Sequence, residues 1–191
     1  MLKQKAMIMK FSSYLVIFFT IFFRCSNGSN LVITQSCMEA SEISPNVRYD
    51  FCVASLEDAS SKWQPPPTKL EDLVGISIQL SKSNATNMVS IISELLKNKG
   101  YDPYAKGCLR DCFDLYKDSL SDLDDVVAAF KSKDLDTAAI KLSATLDSSV
   151  TCEDQFKDKK GEKSPLTKEN HVYFQLNVIS LAFIQMFRHH Y

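Results

Sequence analysis

Glycine and histidine are scarce in this chain, and their scarcity argues against several classes of function. Five glycines among 191 residues include no glycine-rich loop of the kind that binds nucleotide phosphates. The three histidines are His171, His189 and His190, and neither they nor the cysteines have the spacing of a zinc site. We find no nucleophile and base in a catalytic arrangement, so we predict no enzyme activity, no metal and no cofactor.

A long hydrophobic run is also missing, although a short one lies near the N-terminus. The run from Phe11 to Phe23 falls short of the roughly 20 residues that a membrane-spanning helix needs. Basic residues precede it and small polar residues follow it, which is the layout of a secretory signal. We predict a signal peptide over residues 1–28, cleaved after Gly28, and a secreted mature chain of residues 29–191. A signal anchor that stays attached is the alternative.

The mature chain lacks an excess of basic residues. Removal of residues 1–28 leaves 18 basic and 23 acidic side chains, a net charge of −5. A weakly acidic surface has no electrostatic attraction to nucleic acid or to anionic lipid. We therefore expect no nucleic-acid partner and, after signal cleavage, no membrane association, and a basic protein surface is the partner that this charge suits.

Strand-type alternation is hard to find, whereas helical spacing of apolar residues runs through the chain. We predict an all-α fold in which residues 29–67 form a helical hairpin and a proline-rich linker, and residues 68–191 form an antiparallel four-helix bundle. The first bundle helix is predicted to begin with a Thr68–Glu71 capping box and to end near Gly100. The stripes expected to face the core include Leu115, Val127 and Val150.

Five cysteines remain after signal cleavage, and an oxidising compartment favours their pairing. Cys112 and Cys152 each lie 20 residues from a predicted turn at Ser132, so they should be level on two antiparallel helices. Cys37 and Cys52 remain as a local pair that closes the hairpin. Cys108 is then predicted to be a buried free thiol.

Two further sites depend on single motifs or on spacing. Asn84-Ala85-Thr86 is an acceptor sequence for N-glycosylation in a secreted chain. The acids at Asp122, Asp124 and Asp125 are spread over helix faces, and we interpret them as solvated surface.

Several motifs resemble those of the plant invertase and pectin methylesterase inhibitors. Asp111 to Tyr116 is similar to the motif of the family's second bundle helix, and Leu142 to Ala144 together with Val150 to Phe156 is similar to that of its third. The segments Ser44 to Cys52 and Ser164 to Asn170 resemble allergens of plane-tree pollen that are described as invertase inhibitors. The resemblance covers nearly the whole mature chain.

The resemblance implies a protein that occupies the active-site cleft of a plant invertase or a pectin methylesterase, as a monomer binding its target one to one, in the cell wall or the vacuole. The positions by which pectin methylesterase inhibitors contact their target correspond to Asp114, Leu115, Asp118 and Thr151. Invertase inhibitors of the family can carry Pro-Lys-Phe where this chain has Leu135-Asp136-Thr137. We predict target binding through Asp114, Asp118 and Thr151.

The leading hypothesis is inhibition of an invertase, and two other functions are alternatives to it. Inhibition of a pectin methylesterase is the alternative within the family. A secreted helical carrier of a small apolar ligand is the alternative outside it, and it would need a cavity within the bundle, which continuous apolar stripes disfavour.

Overall fold

The computed structural model describes residues 28–189, and within them every regular element is a helix. The predicted signal peptide therefore lies almost wholly outside the described residues. Helix α1 covers residues 28–43 and is followed by α2, Tyr49–Ser60. The four longer helices are α3, Leu70–Lys97, α4, Pro103–Lys131, α5, Leu135–Lys157, and α6, Thr167–His189.

Helices α3 to α6 form the predicted bundle, in which each helix packs against two neighbours: α3 and α5 both contact α4 and α6. The hairpin of α1 and α2 is closed by the Cys37–Cys52 disulfide, whose Cα atoms are 5.8 Å apart. Helix α2 packs against α3 and α6. The hairpin is too short to form a hydrophobic core of its own, so the disulfide and the packing of the hairpin against the bundle hold it in place.

Helix α6 is buried on more than one side because it lies between the other bundle helices and the hairpin. Thirteen of its 23 residues are buried. Gln175 on α6 accepts a hydrogen bond from the backbone N–H of Arg48 at 3.2 Å and donates one to the carbonyl of Asn46 at 3.0 Å. These two bonds satisfy backbone groups at the turn of the hairpin and fix its position on α6.

Hydrogen bonds between buried polar side chains set the register of the bundle helices. Each connects two different helices: Tyr116–Asn170 at 2.6 Å, Ser119–Ser148 at 2.9 Å, Thr145–Asn177 at 2.8 Å and Ser81–Ser180 at 3.4 Å. A shift of one helix by a turn would leave these groups buried without partners, which costs about 1–3 kcal/mol per group. Apolar packing fills the rest of the core, including an edge-to-face contact of the Tyr116 and Tyr173 rings at 4.9 Å.

The start of α3 differs from the predicted Thr68–Glu71 capping box. The helix begins at Leu70, and the carboxylate of Asp72 accepts hydrogen bonds from the backbone N–H groups of Thr68 and Lys69. Glu71 instead points to Lys133 in the turn between α4 and α5. The helix also ends at Lys97, three residues before the predicted stop at Gly100.

The predicted inward stripes are correct in direction but displaced by a residue in places. On α4, Tyr116 and Val126 are fully buried, while the predicted Leu115 and Val127 are only half-buried. On α5, Val150 was predicted to face the core, and this was wrong, since 41% of its surface is exposed. The neighbouring Ser149 is buried in its place, because the polar residues Thr145, Ser148 and Ser149 occupy the inner face there.

Candidate target-binding surface

Helices α4 and α5 are held together as one rigid hairpin. The Cys112–Cys152 disulfide joins them at a Cα separation of 5.0 Å, which is the pairing predicted from the level positions of the two cysteines. Tyr104 on α4 donates a hydrogen bond to the backbone carbonyl of Gln155 on α5 at 2.6 Å. A surface built on this pair has little freedom to lose when a partner docks.

The ionised side chains between the two helices add a second connection, toward the turn of the hairpin. The Lys141 ammonium lies 2.8 Å from the carboxylates of both Asp122 and Asp125. Hydrogen bonds to these two carboxylates raise the pKa of Lys141. Asp124, on another side of α4, pairs with Lys82 of α3 instead. The three acids interpreted as solvated surface are thus exposed or half-buried partners in ion pairs.

The predicted contact residues Asp114, Asp118 and Thr151 are all exposed. Asp114 and Asp118 are four residues apart, so they lie on one face of α4. Thr151 directly precedes the cross-linked Cys152 on α5. The disulfide places all three residues within about two helical turns of one another along the hairpin.

Exposed residues at helical spacing extend this face on both helices. The α4–α5 face, as we name it, comprises Asp111, Asp114, Asp118 and Asp125 of α4 with Ile140, Ala144, Asp147 and Thr151 of α5, all of which are exposed. The exposed fraction of Ile140 is 69%. Ile140 is the one large apolar side chain among the eight residues of this face, and the others are charged, polar or small.

Sequence reasoning did not identify Ile140 as part of this face. Its only signal is its position seven and eleven residues before Asp147 and Thr151, on the polar side of an amphipathic helix. Leu115 was included among the corresponding contact positions, and it is half-buried beside the face.

The turn between α4 and α5 is tied to the end of the bundle. Lys133 has a positive φ of 63°, and its ammonium lies 2.5 Å from the Glu71 carboxylate of α3 and 4.8 Å from the ring centroid of Phe187 on α6. Hydrogen bonds from Lys133 and Lys69 lower the pKa of Glu71 to about 2. The turn is therefore held in one conformation by contacts to two other helices.

The segment Leu135-Asp136-Thr137, at the position where the resemblance implies Pro-Lys-Phe in some invertase inhibitors, is an ordinary helix start in this structure. Asp134 caps α5 by accepting a hydrogen bond from the backbone N–H of Thr137 at 3.1 Å. Leu135 is buried, and Asp136 pairs with Arg188 of α6 at 2.7 Å. Nothing in this segment has the apolar and basic character of the Pro-Lys-Phe element.

A second concave surface lies between α5 and α6. This groove of about 380 Å³ has apolar walls that include the exposed Val150 and the half-buried Phe174. Its Glu153 carboxylate accepts hydrogen bonds from Thr167 at 2.7 Å and Asn170 at 2.8 Å. Asn170 in turn accepts the Tyr116 bond from within the core, so the floor of this groove is fixed from the interior of the bundle.

The remaining cysteine of residues 28–189 is a buried thiol. Cys108 is unpaired and 6% exposed, and its sulfur lies 3.7 Å from the backbone carbonyl of Gln155. Burial raises the pKa of the Cys108 thiol, which keeps it protonated and unreactive.

Residues 28–189 contain neither a cluster of side chains able to hold a metal ion nor a helix that is long and apolar enough to cross a membrane.

The family model that matches residues 32–183 is described as plant invertase/pectin methylesterase inhibitor. The chain belongs to this family.

Relatives within the family are similar to the chain over almost their whole lengths. A protein of Platanus orientalis named "Putative invertase inhibitor" is 43% identical over 181 residues, which cover 93% of this chain and 98% of the relative. Pectinesterase inhibitor 12 of Arabidopsis thaliana is 38% identical over 178 residues, 93% of this chain and 99% of that protein.

Among solved structures, a mutant form of a pectin methylesterase inhibitor from Arabidopsis superposes with a TM-score of 0.63, covering 78% of this chain and 96% of that one. The two sequences are 24% identical, so this similarity supports the helical bundle and its hairpin as a shared fold.

Proposed function

We propose that this chain is a secreted, proteinaceous inhibitor of a plant invertase, which it blocks by binding over the enzyme's active-site cleft. The observation that carries the proposal is the similarity at 43% identity over nearly the full length to a relative that bears the name of an invertase inhibitor. The chain has no catalytic role in this proposal. It binds to the surface of the target enzyme and prevents sucrose from entering the active-site cleft.

The α4–α5 face supplies the physical means of inhibition. Because the disulfide and the hydrogen bonds fix the two helices, a partner docks onto a preformed surface and little conformational entropy is lost. Its carboxylates at Asp114 and Asp118 attract a basic rim around the target's cleft, which raises the association rate and makes it sensitive to salt. Ile140 offers an exposed apolar contact at the end of the face nearest the α4–α5 turn.

The secretory route belongs to the same proposal. Residues 1–28 direct the chain into the secretory pathway and are removed, and the inhibitor domain of residues 29–191 acts in the cell wall, with the vacuole as the alternative. The mature chain binds its target as a monomer in a one-to-one complex.

Inhibition of a pectin methylesterase is the second candidate, and two observations favour it. Pectinesterase inhibitor 12 is similar over nearly its full length, and the Pro-Lys-Phe element of invertase inhibitors is replaced by a capped, packed helix start at Leu135–Thr137. In this case too the α4–α5 face is the contact surface.

The experiment that separates the two candidates uses the purified mature chain. It is added in increasing amounts to a plant acid invertase cleaving sucrose and, separately, to a plant pectin methylesterase releasing methanol from pectin. We expect a stoichiometric loss of invertase activity with no effect on the esterase. Loss of esterase activity alone would assign the second candidate, and full activity of both enzymes would contradict the proposal.

A further inference from the structure

A groove between the hairpin and the bundle lies outside the α4–α5 face. It has a volume of about 320 Å³ and lies between α2, the segment that follows it, and α3. Its lining is mixed: Ala59, Trp63, Ile76 and Leu80 are apolar, Gln79 and Ser83 are polar, and Asp58 and Lys62 form an exposed ion pair. Trp63 remains 36% exposed. A partly exposed tryptophan ring in a groove of this size offers an apolar surface against which a ligand can pack.

The glycosylation acceptor Asn84 borders this groove without lining it. It directly follows Ser83, which lines the groove, and it is one helical turn after Leu80. Residues four apart on a helix have Cβ atoms about 5–6 Å apart. Because side chains on a helix lean toward its N-terminus, the Asn84 amide leans toward Leu80 and the groove.

The two polar atoms of the Asn84 side chain have different environments. Its Oδ1 is buried and has no hydrogen-bond partner. Its Nδ2 is not fully buried and forms no hydrogen bond within the described residues. A sugar linked to this nitrogen therefore breaks no hydrogen bond of the Asn84 side chain.

The chemistry of the groove suits the first sugars of an N-linked glycan. One face of an N-acetylglucosamine ring presents mainly C–H groups, which pack against an aromatic ring or an aliphatic side chain, while its hydroxyl and acetamido groups form hydrogen bonds. Trp63 and Leu80 offer the apolar surface, and Gln79 and Ser83 offer donors and acceptors. A volume of about 320 Å³ is at the lower end for ligand sites, which fits one or two sugar rings.

We propose that Asn84 carries an N-linked glycan whose first N-acetylglucosamine residues bind in the α2–α3 groove against Trp63. The bound sugars bridge the hairpin to the bundle, between α2 and α3, two helices that also pack directly against each other. The proposal uses the secretory route of the proposed function but not the inhibitory activity, because the groove lies on α2 and α3 and the inhibitory face on α4 and α5.

The chain provides its own probe for this site, since Trp63 is the sole tryptophan. The full precursor is expressed in a host that performs N-glycosylation, and the secreted product is compared with a Thr86→Ala variant, which lacks the acceptor at Asn84. The other acceptor sequence, Asn27-Gly28-Ser29, is divided by the predicted cleavage after Gly28. Thr86 is exposed, and its hydroxyl bonds only to the Lys82 carbonyl of its own helix, so the variant keeps the fold. We expect a mass consistent with one glycan on the wild type, a blue-shifted Trp63 emission, and acrylamide quenching reduced roughly twofold, since a sugar covers one face of the ring.

A glycan placed elsewhere is the matched control. Thr86→Ala combined with Gly100→Thr moves the acceptor to Asn98, which directly follows the end of α3 and lies about 20 Å from Asn84 along the helix axis. This variant should leave Trp63 as open as in Thr86→Ala alone. An unmodified Asn84 in the secreted protein would overturn the proposal. So would a glycosylated protein whose Trp63 is quenched as strongly as in Thr86→Ala, or equal protection by a glycan on Asn98. Inhibition of the target by Thr86→Ala is expected to be unchanged, so failure here is distinct from failure of the proposed function.

Discussion

Loss of the Cys112–Cys152 disulfide should destabilise the fold far more than loss of the free thiol. The bond closes a segment of 40 residues. In the chain-entropy account a loop of this length stabilises the native state by about 4 kcal/mol. For a chain of this size a change of 1 kcal/mol moves the melting temperature by about 2–4 °C, so Cys152→Ser should lower it by roughly 8–16 °C.

Cys108→Ser is the matched control for that experiment. The Cys108 sulfur lies in hydrogen-bond contact with the Gln155 carbonyl, and a serine hydroxyl can keep that bond. The change removes little volume from a side chain that is 6% exposed, so the melting temperature should fall by no more than a few degrees, corresponding to about 1 kcal/mol.

The assay is thermal unfolding of both variants, followed by circular dichroism at 222 nm under non-reducing conditions. Peptide mapping without reduction accompanies it and should show bridged peptides containing Cys37–Cys52 and Cys112–Cys152 in the wild type. Equal melting temperatures for Cys152→Ser and Cys108→Ser would refute the reasoning. A bridged peptide that contains Cys108 and Cys152 would show that the pairing itself is wrong.

Two further predictions concern hydrogen bonds and pH. Tyr116→Phe leaves the Asn170 oxygen without its buried donor and should lower the free energy of unfolding by about 1–3 kcal/mol. Tyr173→Phe should lower it by less, because the buried Tyr173 hydroxyl has no hydrogen bond of ordinary geometry among the described residues. Denaturant unfolding measures both variants, and equal losses would contradict the assignment. The pKa of Glu71 falls from 4.5 to about 2 on folding, so its ion pair with Lys133 stabilises the protein above pH 4.5 and is lost as the pH falls toward 2. Glu71→Gln and Lys133→Met should each flatten the loss of stability in this range, and an unchanged pH profile in both would be inconsistent with the ion pair.

Sequence reasoning predicted the bundle and both disulfides because these depend on the number of residues between helix positions, which does not change with the local side-chain environment. Cys112 and Cys152 could be paired by counting residues from one turn, since the rise of an α-helix is constant. The same argument separated Cys108, one turn away. Residues at such fixed intervals carry structural information without any knowledge of what surrounds them.

Other features depend on neighbours that a linear pattern does not reveal. Val150 has the spacing of a core residue, yet polar side chains on α5 bond across the interior and Val150 is left at the surface. The predicted Thr68–Glu71 capping box is displaced by one residue, because the helix begins at Leu70 and the Asp72 carboxylate takes the capping position. Glu71 is left to pair with Lys69 and with Lys133, which is 62 residues away along the chain. Such competition between local and long-range partners for one carboxylate is decided only by the tertiary structure.

The α4–α5 face was predictable in part. Asp114, Asp118 and Thr151 came from the correspondence with the family's contact positions, and the structure leaves all three exposed. Ile140 could not be singled out, because an isolated apolar residue on a polar helix face is common and becomes informative only when its exposure and its neighbours are known.

The most direct test of the central claim is inhibition by a charge-reversed α4–α5 face. Asp114→Lys with Asp118→Lys is compared with wild type and with a control pair, Glu57→Lys with Glu94→Lys, which makes the same change in net charge at exposed sites on α2 and α3. Inhibition constants against the target enzyme are measured at low salt, and melting temperatures are measured alongside. The account predicts weaker inhibition, with a slower association rate, for the α4–α5 pair alone, while all three proteins melt at nearly the same temperature. Inhibition by the α4–α5 double variant that equals wild type at low salt would contradict the account and would place the contact surface elsewhere on the bundle.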